Sequence, residues 1–360
     1  MNDKNAEYRR PSVRVALIGY GFAGRTFHAP LIRATPGLDL ALVASRDAAK
    51  VHADLPGMAV EADPLRAVTD PAIELVVIAA PNSRHAPLAR AALAAGKHVV
   101  VDKPFTLDLA EARALIALAE QHDRLLSVFH NRRWDSDYLG VKQLIDSGAL
   151  GEVVHFESHF DRFRPEVRGR WREQALPGSG VWFDLGPHLV DQALQLFGLP
   201  ESIQANLAVQ RPGGQIDDWA HIVLNHGGRR IVLHAGMVVA GGSMRFTVHG
   251  SKASVVKQRA DGQERQLLDG VIPGAPGWGE DDDDLVLYQG DDVRRLPTPA
   301  GDQRQYYRAI HRALRDGAAN PVPPIQALAV MAVIEAATQA ATEGRTTRLP
   351  LTDAELAAWA

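Results

Sequence analysis

The segment Gly19-Tyr20-Gly21-Phe22-Ala23-Gly24 reads G-x-G-x-x-G, and its flanks make it more than a glycine-rich turn. It follows the apolar run Val13–Ile18 (VRVALI) and opens a helical pattern over Phe22–Ala34. Strand, glycine turn and helix in that order form a dinucleotide-binding unit. Gly19 permits the tight turn, Gly21 lets the backbone approach a pyrophosphate without a Cβ, and Gly24 lets the helix lie close on the strand. The helix start, at Phe22, Ala23 and Gly24, offers unpaired N–H groups and partial positive charge to phosphates. Tyr20 and Phe22 are expected to pack near the cofactor.

The rest of the first third repeats this alternation. Strand runs are read at Leu38–Ala44, Glu74–Ala79, Lys97–Val101 and Leu125–Phe129, with a weaker one near Ala59. Helices are read at Pro64–Val68, Arg84–Ala95 and Leu109–His122. Strands apolar on both faces, interleaved with helices, predict an α/β unit with a doubly wound parallel sheet.

After Phe129 the pattern changes. A bridging helix is expected over Asp135–Ser147, followed by alternating runs at Glu152–Phe163, Ile203–Gln210, Ala220–Asn225, Arg230–Val239, Arg245–His249 and Ala253–Lys257. Gly227-Gly228 reads as a hairpin turn. Alternation with closely spaced turns predicts an α+β domain with a large, open, mostly antiparallel sheet. The boundary is placed after residue 130, giving a Rossmann domain over 1–130 and a substrate-binding and oligomerisation domain over 131–360. Gly270–Asp284 (GVIPGAPGWGEDDDD) reads as a surface excursion. Helices at Gln303–Asp316 and Pro324–Glu343 close the chain.

Cofactor choice is read where the second strand ends. An Asp or Glu about 20 residues past the glycines binds the ribose hydroxyls of NAD. Here the strand ends Ala44-Ser45-Arg46. Ser45 can donate to a 2′-phosphate, and Arg46 can pair with it and stack on adenine. NADP is therefore expected. Asp47 keeps NAD open as the alternative, since one residue out of register it could turn inward.

Composition excludes several classes. The formal net charge is −4, which gives no basic field for nucleic acid. The chain has no cysteine, so disulfides, thiolate metal sites and cysteine nucleophiles are absent, and a cytoplasmic location is expected. The polar opening MNDKNAEYRRPS does not read as a signal peptide. No apolar run approaches the roughly 20 residues needed to span a bilayer, and no membrane partner is expected.

Four separated motifs then agree: Gly19–Gly24, Ala80-Pro81-Asn82, Asp102-Lys103-Pro104 and Gly180-x-x-x-Asp184-x-x-x-His188. In that order they resemble the Gfo/Idh/MocA oxidoreductases over nearly the whole chain. The stretches FHNRRWDSD (Phe129–Asp137) and RWREQ (Arg170–Gln174) are similar to the bacterial subgroup containing NADP-dependent scyllo-inositol 2-dehydrogenases. The resemblance implies hydride transfer between a nicotinamide and a carbinol carbon of a polyol, inositol or sugar. It implies a homodimer or homotetramer built through the C-terminal sheet.

It also implies site roles. His188 is the acid/base on the reacting hydroxyl, Asp184 orients it, and Lys103 stabilises charge on the same oxygen. Spacing i, i+4 places Asp184 and His188 on one helix face, and Pro187 is expected to loosen that helix beside them. The family motif usually reads Glu-Lys-Pro; Asp102 is one methylene shorter. Asp102, Pro81, Asn82, His85, Asn131, Trp171 and Arg172 are assigned to the cofactor, and Asp161 and Arg162 to the substrate. A zinc reading of Asp184, His188 and His130 exists, but the family needs no metal and none is expected. The alternative function is a non-catalytic NADP-binding redox sensor. A third reading, an enzyme for imines or tetrapyrroles, is disfavoured by the polar set Arg162, Arg164, Arg168 and Arg170.

Overall fold

The computed structural model describes residues 12–359; the opening residues 1–11, on which the leader reading rests, lie outside them. The chain forms two compact units. The first takes the chain up to Asn131, with Gln263–Trp278 and Asp302–Ala327; the second takes Arg132–Gly262, Gly279–Gly301 and the chain from Leu328. The chain thus leaves the first unit after Asn131 and returns to it twice.

The first unit is built on six strands: β1 (Val13–Ile18), β2 (Leu38–Ala44), β3 (Val60–Glu61), β4 (Leu75–Ile78), β5 (His98–Val101) and β6 (Leu126–Val128). They lie in the order β3-β2-β1-β4-β5-β6 and every pair is parallel. This is the doubly wound order with its switch between β1 and β4. Val15, Leu17, Val76, Val77, Val99 and Val100 are fully buried. Each such side chain stabilises the fold by about 1.5–3 kcal/mol. The helix after β1 holds a π-helical stretch, Gly24–His28, before α1 (Ala29–Arg33).

Aspartates start the next helices. Asp47 caps α2 (Ala48–Asp54), Asp63 caps α3 (Pro64–Thr69) and Asp108 caps α5 (Leu109–Gln121), each accepting a backbone N–H of the first turn. Between them α4 (His85–Ala94) connects β4 to β5. Helix α2 has no counterpart in the sequence reading.

The second unit begins with α6 (Ser136–Asp146) and β7 (Val153–Asp161), then α7 (Val181–Phe197). Strands β8 (Ser202–Ala208), β9 (Trp219–His226), β10 (Arg229–Gly236), β11 (Phe246–Gly250) and β12 (Ser254–Lys257) follow. After α8 (Gln263–Leu268), which belongs to the first unit, come β13 (Leu285–Gln289) and β14 (Asp292–Leu296). The sheet order is β14-β13-β12-β11-β7-β10-β9-β8, antiparallel except for the parallel pair β7–β10. The hairpin between β9 and β10 turns at Gly227-Gly228, with Gly227 at φ +56°. Helix α9 (Arg304–Asp316) returns to the first unit, and α10 (Pro324–Glu343) and α11 (Asp353–Trp359) end the fold.

One expectation needs correction and another needs refinement. Helix α10 is long and apolar enough, by length and composition alone, to cross a membrane. Ala329, Val330, Val333, Ile334 and Ala337 instead bury it in the core of the second unit. The acidic run lies at the surface, with Ile272 and Asp282 exposed, but two of its aspartates turn inward. Lys257 is fully buried, and its ammonium is held by Asp281 at 3.2 Å and Asp283 at 2.5 Å. A buried charge requires such partners, and alternate aspartates of the run supply them.

Helix α7 starts at Gly180, whose φ of +91° suits glycine, and a Cβ there would lie 2.2 Å from Asp217 Oδ1. Asp217 closes this helix end: its carbonyl accepts from Val181 N at 2.8 Å, and its Oδ2 accepts from Trp182 N at 2.8 Å. Burial pushes the Asp217 carboxyl from 3.8 up to about 6. The folded state therefore holds that proton more tightly than the unfolded chain. The group's stabilising contribution is fully present below its unfolded value and is lost as pH rises through about 6. Asp217→Asn keeps the acceptor and removes the charge. Its stability relative to the parent should rise between about pH 4 and about pH 6.5 and level off above that, with a ceiling of about 3 kcal/mol. A difference that stays flat across that range in differential scanning calorimetry would contradict the assignment.

Candidate active site

The glycine turn follows β1 at its carboxyl end. Gly19 adopts φ +102°, and a Cβ on it would meet Ala79 O at 2.6 Å. A Cβ on Gly24 would meet Gly19 O at 2.1 Å. These two glycines are required by the protein's own packing. Gly21 is not: a Cβ there would have no protein atom within 4 Å. The open position matches the role of admitting a pyrophosphate, so the turn fits a dinucleotide. Phe22 is exposed and Tyr20 is buried, its hydroxyl 3.3 Å from Asp54, which also holds Arg25 at 2.6 Å.

At the end of β2, Ser45 Oγ accepts the Asp47 N–H at 3.1 Å, and Asp47 Oδ1 accepts the Lys50 N–H at 2.9 Å. Asp47 is thus engaged as a helix cap. Arg46 is exposed beside it.

The loops after β4 and β5 are tied together. Pro81 is exposed, while Asn82 is buried in a short 3-10 turn. His85 is buried, with Nδ1 2.8 Å from Pro104 O and Nε2 2.9 Å from Ala80 O. A neutral ring donates to only one of these carbonyls at a time, and burial pushes its pKa down, favouring that neutral form. His85 staples two loops, with both ring nitrogens against backbone. Its expected role as a cofactor contact is therefore corrected to a structural one.

Lys103 stands just past β5, half-buried, and its peptide bond to Pro104 is cis. Asp102 Oδ1 accepts the Lys103 N–H at 2.8 Å and lies 3.7 Å from His28 Nε2. His28 Nδ1 lies 2.5 Å from the Tyr307 hydroxyl. Despite burial, the Asp102 carboxyl is held below its usual range by His28 and Lys103. Asp102 therefore anchors the Lys103 backbone from a buried cluster, where a cofactor contact had been expected. Sequence reasoning missed His28 and Tyr307; the one signal was an FHAP stretch inside the first helix. Asn131, also assigned to the cofactor, donates its side-chain amide to Gln303 Oε1 at 3.0 Å in the interior. His130 is buried in the same unit.

In the second unit, α7 runs unbroken through Pro187 and carries Asp184 and His188. His188 is buried against Phe160, ring centroids 6.3 Å apart. Asp184 is partly exposed. Its Oδ1 lies 3.3 Å from Arg172 Nε, and its Oδ2 lies 3.9 Å from Arg162. Arg172 stacks over Trp171 at 4.4 Å. The structure thus brings Arg162, Arg172 and Trp171 around Asp184. It does not bring Asp161. Successive residues of a strand face opposite sides: Phe156, Ser158 and Phe160 point to the core and His188, whereas Asp161 contacts His159, His234 and Ser243 on the other side.

Several charged pairs hold α7 in place. Arg133 grips Asp191 bidentately at 2.6 and 2.9 Å. Arg245, buried between Phe160 and Phe246, binds Asp137, Ser158 and Gln192. The charged residues of the FHNRRWDSD stretch are therefore largely structural.

Gly21→Ala and Gly24→Ala separate the two glycine roles. Gly21→Ala should fold with unchanged melting temperature and weaken nicotinamide-dinucleotide binding by on the order of tenfold. Gly24→Ala should cost about 1–3 kcal/mol of stability from overpacking. Equal stability losses in thermal melts would contradict this division.

Comparison with known proteins agrees with this geometry. Residues 13–130 match the oxidoreductase family's NAD-binding Rossmann fold, and residues 142–350 match its C-terminal alpha/beta domain. The chain is 53% identical over 328 residues to the uncharacterized oxidoreductase YdgJ of Escherichia coli, covering 90% of this chain and 95% of that one. It is 36% identical over 344 residues to the scyllo-inositol 2-dehydrogenase (NADP(+)) IolW of Bacillus subtilis, covering 94% and 96%. A solved oxidoreductase structure from Klebsiella pneumoniae superposes with a TM-score of 0.92 at 62% identity, covering 97% and 98%. The chain belongs to the Gfo/Idh/MocA family of oxidoreductases.

Proposed function

We propose that this oxidoreductase is an NADP-dependent dehydrogenase acting on a CH–OH group of a polyol, inositol or sugar. The observation that carries the reading is the Asp184–His188 pair on α7: a buried imidazole, with a carboxylate one turn away that faces two guanidinium groups. That setting suits a polar, hydroxyl-rich substrate, and the named activity of the Bacillus relative supports the class.

When bound, the nicotinamide cofactor supplies the hydride chemistry. His188 takes the hydroxyl proton as the carbinol carbon is oxidised, and returns it in the reverse direction. Asp184 orients the imidazole and binds a neighbouring hydroxyl. Lys103 donates to the reacting oxygen and stabilises its developing charge. Ser45 and Arg46 favour NADP, because Asp47 is committed to capping α2. A cytoplasmic homodimer or homotetramer assembled through the second sheet completes the reading, with no nucleic-acid or membrane partner.

A spectrophotometric screen of inositols, aldoses and ketoses with both cofactors tests the class. Turnover with at least one polyol or sugar is expected. Tight NADP(H) binding with no turnover across the panel would point to a redox sensor instead. Lys103→Met should lower kcat strongly and leave cofactor affinity nearly unchanged; a near-parental kcat would remove Lys103 from the chemistry.

Arg46→Ala should weaken NADP relative to NAD by about 1–3 kcal/mol, the range for a charged hydrogen bond. Equal losses for both cofactors in binding titrations would show that Arg46 does not read the 2′-phosphate.

A further inference from the structure

Among the described residues, one group of His and Asp side chains offers ligand atoms that all lie within 4.8 Å of one another: His159, Asp161 and His234. It belongs wholly to the second unit, on the sheet face opposite His188, and rests on none of the catalytic assignments. We propose that these three residues form a binding site for a borderline divalent transition-metal ion of the zinc type.

Register brings them together. His159 and His234 are direct partners across the parallel pair β7–β10, and Asp161 pairs with Gly236 two residues on. All three side chains therefore emerge from one face. Asp161 Oδ2 lies 3.3 Å from His159 Nδ1, and its Oδ1 lies 3.4 Å from His234 Nε2. Each histidine thus turns one ring nitrogen to the carboxylate, and Oδ1 is the oxygen left open to an ion.

Three further features point to a ligand. The Asp161 side chain is almost entirely buried, yet its Oδ1 accepts no hydrogen bond, although it faces His234. A buried carboxylate oxygen left so costs free energy unless another partner fills the position. Gly236 leaves room for that partner: a Cβ there would sit 3.1 Å from Asp161 Oδ1 and 3.4 Å from His234 Nε2. The groups behind the ligands are also those that orient metal ligands. His159 turns its other nitrogen, Nε2, to Glu157 Oε2 at 3.2 Å, and Ser243 Oγ donates to Asp161 Oδ2 at 2.5 Å.

The donor set selects the ion. Two imidazoles and one carboxylate suit zinc, cobalt or nickel, whereas calcium and magnesium favour all-oxygen cages. Three protein donors leave a fourth position for water or another donor. An ion here would cross-link the one parallel strand pair of the second sheet.

The test is calorimetric titration of ZnCl2 into the tag-free, chelator-treated, full-length protein. One ion per chain is expected. Asp161→Asn, His234→Gln and Gly236→Ala should each weaken binding at least tenfold, since even second-shell changes cost roughly 10–100-fold. His249→Ala, on an exposed neighbouring histidine, should leave it within about twofold. A second readout needs no variant: Co2+ bound to the parent protein should show the intense visible bands of a four- or five-coordinate site. Absence of one-per-chain binding overturns the proposal. So does parental affinity in both Asp161→Asn and His234→Gln, or a Co2+ spectrum identical to that of the aqueous ion.

Discussion

Covering a parallel sheet on both faces leaves only the strand ends for chemistry. In the first unit this constraint decides where every functional candidate stands. The glycine turn follows β1, Ser45 and Arg46 follow β2, Pro81 and Asn82 follow β4, and Lys103 follows β5. All strands run the same way, so these loops emerge on one edge. Close packing then disciplines the loops. Gly24 lies on the Gly19 carbonyl, Gly19 lies on Ala79, and His85 joins the carbonyl of Ala80 to that of Pro104. The turn built for the dinucleotide and the loop bearing Lys103 are thereby coupled through backbone contacts.

The second unit obeys a different rule. Its sheet packs one face against α7 and α10 over most of its strands, so parity along those strands assigns side chains to the core or to the other face. On β7 the split holds from Phe156 onward: Phe156, Ser158 and Phe160 turn towards α7, and Glu157, His159 and Asp161 turn away. Adjacent residues 161 and 162 therefore serve different places. Arg162 approaches Asp184, and Asp161 joins two histidines.

What was legible in the sequence follows from locality. The glycine turn, the strand ends and the i, i+4 pair each depend on neighbours a few residues apart. The strands themselves announced their class through apolar runs or alternation. Strands β13 (LVLYQ) and β14 (DVRRL) were not read, and β14 is exposed along most of its length and carries no buried stripe. The distant pairings were hidden for another reason. Lys257 with Asp281 and Asp283, His28 with Tyr307, Asp217 with the start of α7, and Arg245 with Asp137 join segments far apart in the chain. Side-chain type alone gives no sign of such partners, so the acidic run read as solvent-exposed and His85 read as a ligand contact.

Those distant pairings also explain how chemically similar residues come to differ. Every histidine starts with the same titration range, and surroundings sort them. Carbonyls on both sides and full burial commit His85 to a neutral structural staple. The Tyr307 hydroxyl and the Asp102 carboxylate hold His28 behind Lys103. His188 lies beside Phe160, on a helix whose start is fixed by Asp217 and whose middle is gripped through Asp191 by Arg133. A proton-transfer group needs an imidazole that is positioned without having both nitrogens consumed by backbone. His85 fails that requirement. The helix that carries His188 is fixed at its start and at its middle by residues distant in the chain.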